Sequence, residues 1–252
     1  MAKKRAARVL TVTAAYSLTP NMRRVTLFGE DLASFPEQAE GAYFKLVFPS
    51  DNPDRPTLRT YTISQYRRDT HEIDVDFMLH NSADGTVEGV AVSWAIRASA
   101  GDIMPIFGPG LATLINRDAD AFVLAADMTA LPALAANFAS LPATATGHVV
   151  VEIISDEDRQ ILNVPDGVQV HWVVNPYPGS DESPLYHAIK TLDWPKGQVA
   201  VWCACEFKTM KKCRHYFSHV RQVPKSHLYI SSYWKKGLHE ELHKIAKQED
   251  VE

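Results

Sequence analysis

The chain changes its hydrophobic rhythm near its middle. Up to about residue 112 it runs in short alternating stretches, RVLTVTA, MRRVTLFG, AYFKLVF, LRTYTIS and EIDVDFMLH, parted by turn-rich segments such as PSDNPDRP and NSADGT. β-Branched and aromatic residues in a period of two predict strands, and several short strands at this spacing predict an antiparallel barrel or sandwich. In EIDVDFMLH the alternation sets Ile73, Val75, Phe77 and Leu79 toward a core and Asp74, Asp76, Met78 and His80 away from it. Residues 88–99, EGVAVSWAIRAS, break the rhythm and predict one short helix.

From about residue 120 the apolar runs become continuous: AFVLAAD, HVVVEIIS, VQVHWVV, QVAVWCACE and HLYISSYW. Runs of this kind suit parallel strands covered on both faces. Between them MTALPALAANFASL predicts a helix with Thr129 as N-cap and Pro132 in its first turn. FKTMKKCRHYFSHVRQ predicts an amphipathic helix, Phe207, Met210 and Phe217 on one side and Lys208, Lys211, Lys212 and His215 on the other. A charged helix closes the chain. Strands alternating with helices mean an open α/β sheet. The expected fold class is therefore β followed by α/β, in two domains spanning 1–115 and 116–252.

Composition narrows the function. A chain of 252 residues accommodates two modest domains. Hydrophobic residues at 46% and charged ones at 22% are ordinary for a soluble globular protein. A net charge of -4 argues against nucleic acid as partner. No stretch is apolar over the roughly 20 residues of a membrane span, so no membrane insertion is expected. The first residues, MAKKRAARVL, lack the apolar run of a secretory signal, and a cytoplasmic location is expected. Cys203, Cys205 and Cys213 match none of the usual zinc or iron–sulfur spacings, so no metal is expected.

RTYTIS, residues 59–64, holds the candidate chemistry. Arg59 offers a planar fork for phosphate, Tyr61 a flat ring for stacking, and Thr62 a hydroxyl and a backbone N–H. Together they suit a flavin nucleotide. The same tetrad also suits a surface strand with an exposed arginine and a half-buried tyrosine.

RTYTIS is followed in order by DVDFMLHNSADGTVEGVAVSWAIRASAGDIMPIFGPG, LAADMTALPALAANFASLPA and YISSYWKKG. This series resembles the siderophore-interacting proteins, flavin-dependent ferric-siderophore reductases of the ferredoxin-reductase-like superfamily. The likeness runs from about residue 8 to 240. It implies an N-terminal FAD-binding antiparallel β-barrel and a C-terminal NAD(P)H-binding-like α/β domain. It also implies roles for particular residues. Arg59, Tyr61 and Thr62 stand where the family's flavin motif stands. Asp76, Phe77, Met78 and His80 match its D-F-V-L-H stretch, with Met for Val. Ser93 and Trp94 match a segment whose helix N-terminus presents N–H groups to phosphate. Asp127, Thr129 and Trp234 complete the expected cofactor set. Lys45, Lys235 and Lys236 are the expected contacts to an anionic ferric siderophore.

The chain departs from the family at four further points. Ala126 and Cys205 replace glycines at strand ends, where a side chain is expected to obstruct a dinucleotide. That leaves NADH or NADPH as donor in competition with ferredoxin. Met128 stands for the glutamate of G-D-E-T-A-L-P, and Gly110 for a frequent arginine after Gly-Pro. The implied activity passes electrons from NAD(P)H or ferredoxin through FAD to siderophore-bound Fe(III), releasing Fe(II) from a monomeric protein. The residues alone leave two alternatives, a general flavin or ferredoxin–NAD(P) reductase and a non-catalytic siderophore-binding flavoprotein.

Overall fold

A computed structural model describes residues 7–52, 55–79 and 89–250. The chain divides into two compact units, Met1–Ala112 and Thr113–Glu252. The first is a closed barrel in the strand order β1-β2-β5-β4-β3-β6. Its strands are β1 (Arg8–Thr19), β2 (Met22–Phe28), β3 (Tyr43–Phe48), β4 (Thr57–Arg67), β5 (Glu72–Met78) and β6 (Ile103–Phe107), all paired antiparallel. Helix α1 (Val90–Arg97) precedes β6. The expected alternation holds over the body of β5: Ile73, Val75 and Phe77 join Leu10, Val25, Phe44 and Leu46 in the barrel core, while Asp74 and Asp76 face outward. Met78, expected to face away, is buried, and Leu79, expected in the core, lies past the strand end and is half-buried. Strand β6 was not expected. Pro105 lies in its middle and weakens the sequence signal for a strand, yet Arg8–Thr11 and Lys45–Leu46 both pair with it and close the barrel.

The second unit is a five-stranded parallel sheet in the order β11-β10-β7-β8-β9. It comprises β7 (Ala121–Asp127), β8 (Thr146–Ile153), β9 (Gly167–Val174), β10 (Val199–Glu206) and β11 (Leu228–Trp234), with helices α2 (Leu131–Ser140), α3 (Pro184–Thr191), α4 (Phe207–His215) and α5 (Glu240–Glu249) between and after them. Every residue of β7 and of β10 is buried, which is why their sequences read as unbroken apolar runs. Three local expectations change. Helix α2 begins at Leu131, with Ala130 as its N-cap; Thr129 instead belongs to a preceding 3-10 turn capped by Asp127. The amphipathic stretch after β10 is α-helical only to His215 and continues as a π-turn over Tyr216–Val220. Helix α3, short and led by Pro184, was not foreseen.

Candidate functional site

In the barrel the site is organised by β4. Arg59 and Tyr61 lie opposite Leu46 and Phe44 of β3, both core residues, so they occupy the inner side of the wall while remaining half-buried. The Tyr61 ring rests on Phe77, centroids 4.4 Å apart; Trp94 of α1 packs on the same Phe77 at 5.8 Å and edge-on to Phe48 at 6.3 Å. Phe77 is fully buried, so its part is to support Tyr61 from beneath. Arg59 Nη1 donates to the Leu58 carbonyl at 2.7 Å, which holds the guanidinium against its own strand. In α1 the Ser93 N–H is bonded to the Gly89 carbonyl at 3.1 Å, leaving the N–H groups of Val90, Ala91 and Val92 ahead of it in the first turn.

Asp76 has a different neighbourhood. Arg24 grips both its carboxylate oxygens, at 2.7 and 2.8 Å, and Ser64 donates to it at 2.7 Å. Beside this, Arg67 binds Asp74 bidentately at 2.7 and 2.8 Å, and Thr26 donates to Asp74 at 2.8 Å. Two arginines and two buried carboxylates thus knit β2, β4 and β5 on the barrel's outer face. Burial pushes the Asp74 carboxyl up, but the bonds from Arg67 and Thr26 with the charges of Arg67 and Arg24 together hold it below its ordinary range. Arg24 is a residue that sequence reasoning missed, although its place in MRRVTLF opposite the Asp-rich strand signals a cross-strand pair. Met78 is buried beside its register partner Met22. His80 lies outside the described residues.

On the outer face of β3 and β4, Lys45 Nζ donates to the Thr60 hydroxyl at 2.7 Å, and Tyr43 stands opposite Thr62. A Cβ at Gly110 would fall 2.1 Å from the Tyr43 ring, so a side chain there requires that ring to move. Tyr43 thus occupies the space where the resemblance led us to expect an arginine.

In the second unit the strand order reverses between β7 and β10, and the carboxyl ends of the strands there form the place where open α/β sheets take their ligands. Asp127 ends β7 and is 3% exposed. Its Oδ1 accepts from the Thr129 N–H at 3.0 Å and from the Thr129 hydroxyl, and its Oδ2 from the Trp234 indole N–H at 2.8 Å. The structure therefore brings Asp127, Thr129 and Trp234 into one cluster. Glu152 of β8 is the register partner of Asp127, and it accepts from the Leu185 N–H at 3.1 Å. Glu206 ends β10 and caps α4 through the N–H groups of Lys208 and Thr209. Burial raises the Asp127 carboxyl to about 6 against the bonds from Thr129 and Trp234; burial and the adjacent Asp127 charge raise Glu152 to about 7. Glu152 was also missed, though a lone acid inside VVVEI was a visible signal.

The expectation that Cys205 obstructs this crevice is corrected. Its side chain is 1% exposed and shares the face of Val199, Val201 and Cys203, turned into the core with Leu185 and Cys213. Ala126 is fully buried beside Ala204. Among the described residues no group of three His, Cys, Asp or Glu side chains is arranged to hold a metal. The two lysines after Trp234 diverge: Lys235 Nζ lies over the Phe207 ring at 4.5 Å, whereas Lys236 is exposed and its N–H donates to Glu206 at 3.3 Å.

The donor set on β4 fits a flavin nucleotide: a guanidinium for the diphosphate and a supported aromatic ring for stacking. Comparison with known proteins agrees. Residues 11–55 and 50–113 match the model of the siderophore-interacting FAD-binding domain, and residues 119–237 that of the siderophore-interacting protein. Ferric vibriobactin reductase ViuB of Vibrio cholerae is 30% identical over 92% of each chain. The NADPH-dependent ferric-chelate reductase of Escherichia coli is 26% identical over 90% of this chain and 92% of its own. The crystal structure of SipS from Aeromonas hydrophila superposes with a TM-score of 0.85 at 30% identity, covering 98% of both chains. Matched on both units and over nearly its whole length, this chain belongs to the siderophore-interacting protein family.

Proposed function

We propose that this protein is an FAD-dependent ferric-siderophore reductase, monomeric and cytoplasmic, drawing electrons from NAD(P)H or from ferredoxin. The observation that carries the reading is the Arg59–Tyr61–Thr62 wall of β4, with Tyr61 seated on Phe77 beside Trp94. Arg59 would hold the diphosphate and Tyr61 would orient the ring system, while Thr62, its side chain on the other face of β4, would reach the polar edge through its backbone. FAD, when bound, accepts a hydride's two electrons together and releases them singly, which joins NAD(P)H to one-electron acceptors. The balanced reaction is NAD(P)H plus two Fe(III) giving NAD(P)⁺, a proton and two Fe(II). The iron is substrate, and Fe(II) is held far more weakly by hard oxygen ligands, so it leaves. Lys45, Lys235 and Lys236 supply positive charge that favours an anionic complex.

Two features support a nicotinamide donor. Cys205 is turned away from the crevice, and the Escherichia coli relative is named for NADPH dependence. The test is an anaerobic titration of the purified, FAD-loaded protein with NADPH, NADH and reduced ferredoxin, followed by a ferric siderophore and a colorimetric Fe(II) chelator. Bleaching by at least one donor, then stoichiometric Fe(II) on adding the siderophore, is expected. Protein that takes up no FAD, or reduced protein that yields no Fe(II), refutes the reading.

A further inference from the structure

The outer face of β3 carries an aromatic ring and a cation two positions apart. Tyr43 and Lys45 share that face and stand opposite Thr62 and Thr60 of the flavin motif strand. Tyr43 is 49% exposed. Its backbone is fixed, because its carbonyl accepts the Gly110 N–H at 2.7 Å. Its ring lies against Gly110 on one side, where an added Cβ would meet three ring carbons at 2.1–2.6 Å. Gly108, which would meet Phe44 and the Tyr43 carbonyl, anchors the same loop on the other side. The ring is thus backed by a glycine and presents its exposed surface outward.

An exposed aromatic plane beside an ammonium group is complementary to a ligand that is itself both aromatic and anionic. Resting on the reductase reading above, we infer that Tyr43 is a specificity-determining residue that selects ferric catecholates over ferric hydroxamates. A tris-catecholate complex offers flat rings and several negative charges; a tris-hydroxamate complex offers neither in that combination. Lys45 supplies the charge and Tyr43 the ring contact.

Gallium(III) complexes separate this inference from electron transfer, because Ga(III) matches Fe(III) in charge and size and is not reduced. Binding of a gallium(III) tris-catecholate and a gallium(III) tris-hydroxamate to the FAD-loaded protein would be measured by calorimetry. Tyr43→Ala should weaken the tris-catecholate by roughly three- to tenfold, the range that one aromatic stacking contact supplies, and leave the tris-hydroxamate unaffected. Tyr43→Phe keeps the plane and should bind as the unaltered protein does. Gly110→Ala displaces the ring and should reproduce the loss, with no further loss when added to Tyr43→Ala. Equal effects of Tyr43→Ala on both complexes, a Phe variant as weak as the Ala variant, or loss of FAD from Tyr43→Ala would each overturn the inference. So would an unaltered protein that binds no gallium tris-catecholate. Fe(II) release from ferric complexes judges the reductase reading separately.

Discussion

Arg59 and Tyr61 sit two positions apart on one strand, where under the function proposed above they would divide the work of holding FAD. Arg59 already leans on the Leu58 carbonyl, so its fork is positioned before any phosphate arrives and little side-chain freedom remains to be lost on binding. Arg59→Ala should lower FAD affinity about ten- to hundredfold, the worth of one or two hydrogen bonds to a charged group. Arg59→Lys should recover only part, since an ammonium cannot match the bidentate geometry. Flavin retained at unaltered affinity by the Ala variant would remove Arg59 from the site. Glu152 governs a pH response. Its carboxyl, raised to about 7 from an ordinary 4.5, and that of Asp127, raised to about 6 from 3.8, hold protons in the native state that the unfolded chain releases. The associated stability is present below pH 4 and is lost as pH rises through about 6 to 7. Glu152→Gln keeps an oxygen for the Leu185 N–H and should flatten the decline between about pH 5 and 8, by on the order of 1–3 kcal/mol. His243, which burial and then Lys247 hold down to about 4, opposes this trend below pH 6.5 but does so equally in both proteins. Parallel pH profiles from urea titrations would contradict the assignment.

At the scale of elements, charge pairing on the outside of the barrel wall adds to the apolar packing within. Arg24 reaches from β2 to Asp76 on β5 and Ser64 on β4, and Arg67 crosses from β4 to Asp74. Removing Arg24 leaves the nearly buried Asp76 carboxylate without its fork. Arg24→Met should therefore destabilise the barrel by about 3 kcal/mol, the usual consequence of stranding one partner of a buried pair. Thermal unfolding checks this, and a change below about 0.5 kcal/mol would show the network to be ornamental. The same network keeps Tyr61 and Phe77 in register, since their strands are the ones it joins. In the sheet, the side-chain period of two decided the fate of Cys205: its face points at α3 and α4, so the sulfur enters the core.

For the whole molecule, binding to the native state alone must raise stability. At a hundredfold excess over its dissociation constant, FAD should add about 2.7 kcal/mol and raise the melting temperature by several degrees. An unchanged melting temperature on adding FAD to flavin-free protein would tell against a native flavin site. The net charge of -4 makes any attraction of an anionic substrate a local matter, dependent on where individual lysines stand. No helix among the described residues is long and apolar enough to cross a membrane. Much of this was legible in order along the chain. Alternation in EIDVDFMLH marked Ile73, Val75 and Phe77 as inward residues of β5, and unbroken apolar runs marked β7 and β10 as buried parallel strands, because each of these signals is local and periodic. What the sequence alone could not decide were contacts between residues distant along it. Pro105 hid the strand that closes the barrel, because closure comes from pairing with β1 and β3. The Arg24 grip on Asp76, the Asp127–Trp234 bond and the seat of Tyr43 on Gly110 join positions 52, 107 and 67 apart. Only the folded chain sets such partners side by side, since no short-range pattern specifies which distant groups a barrel or a sheet will bring together.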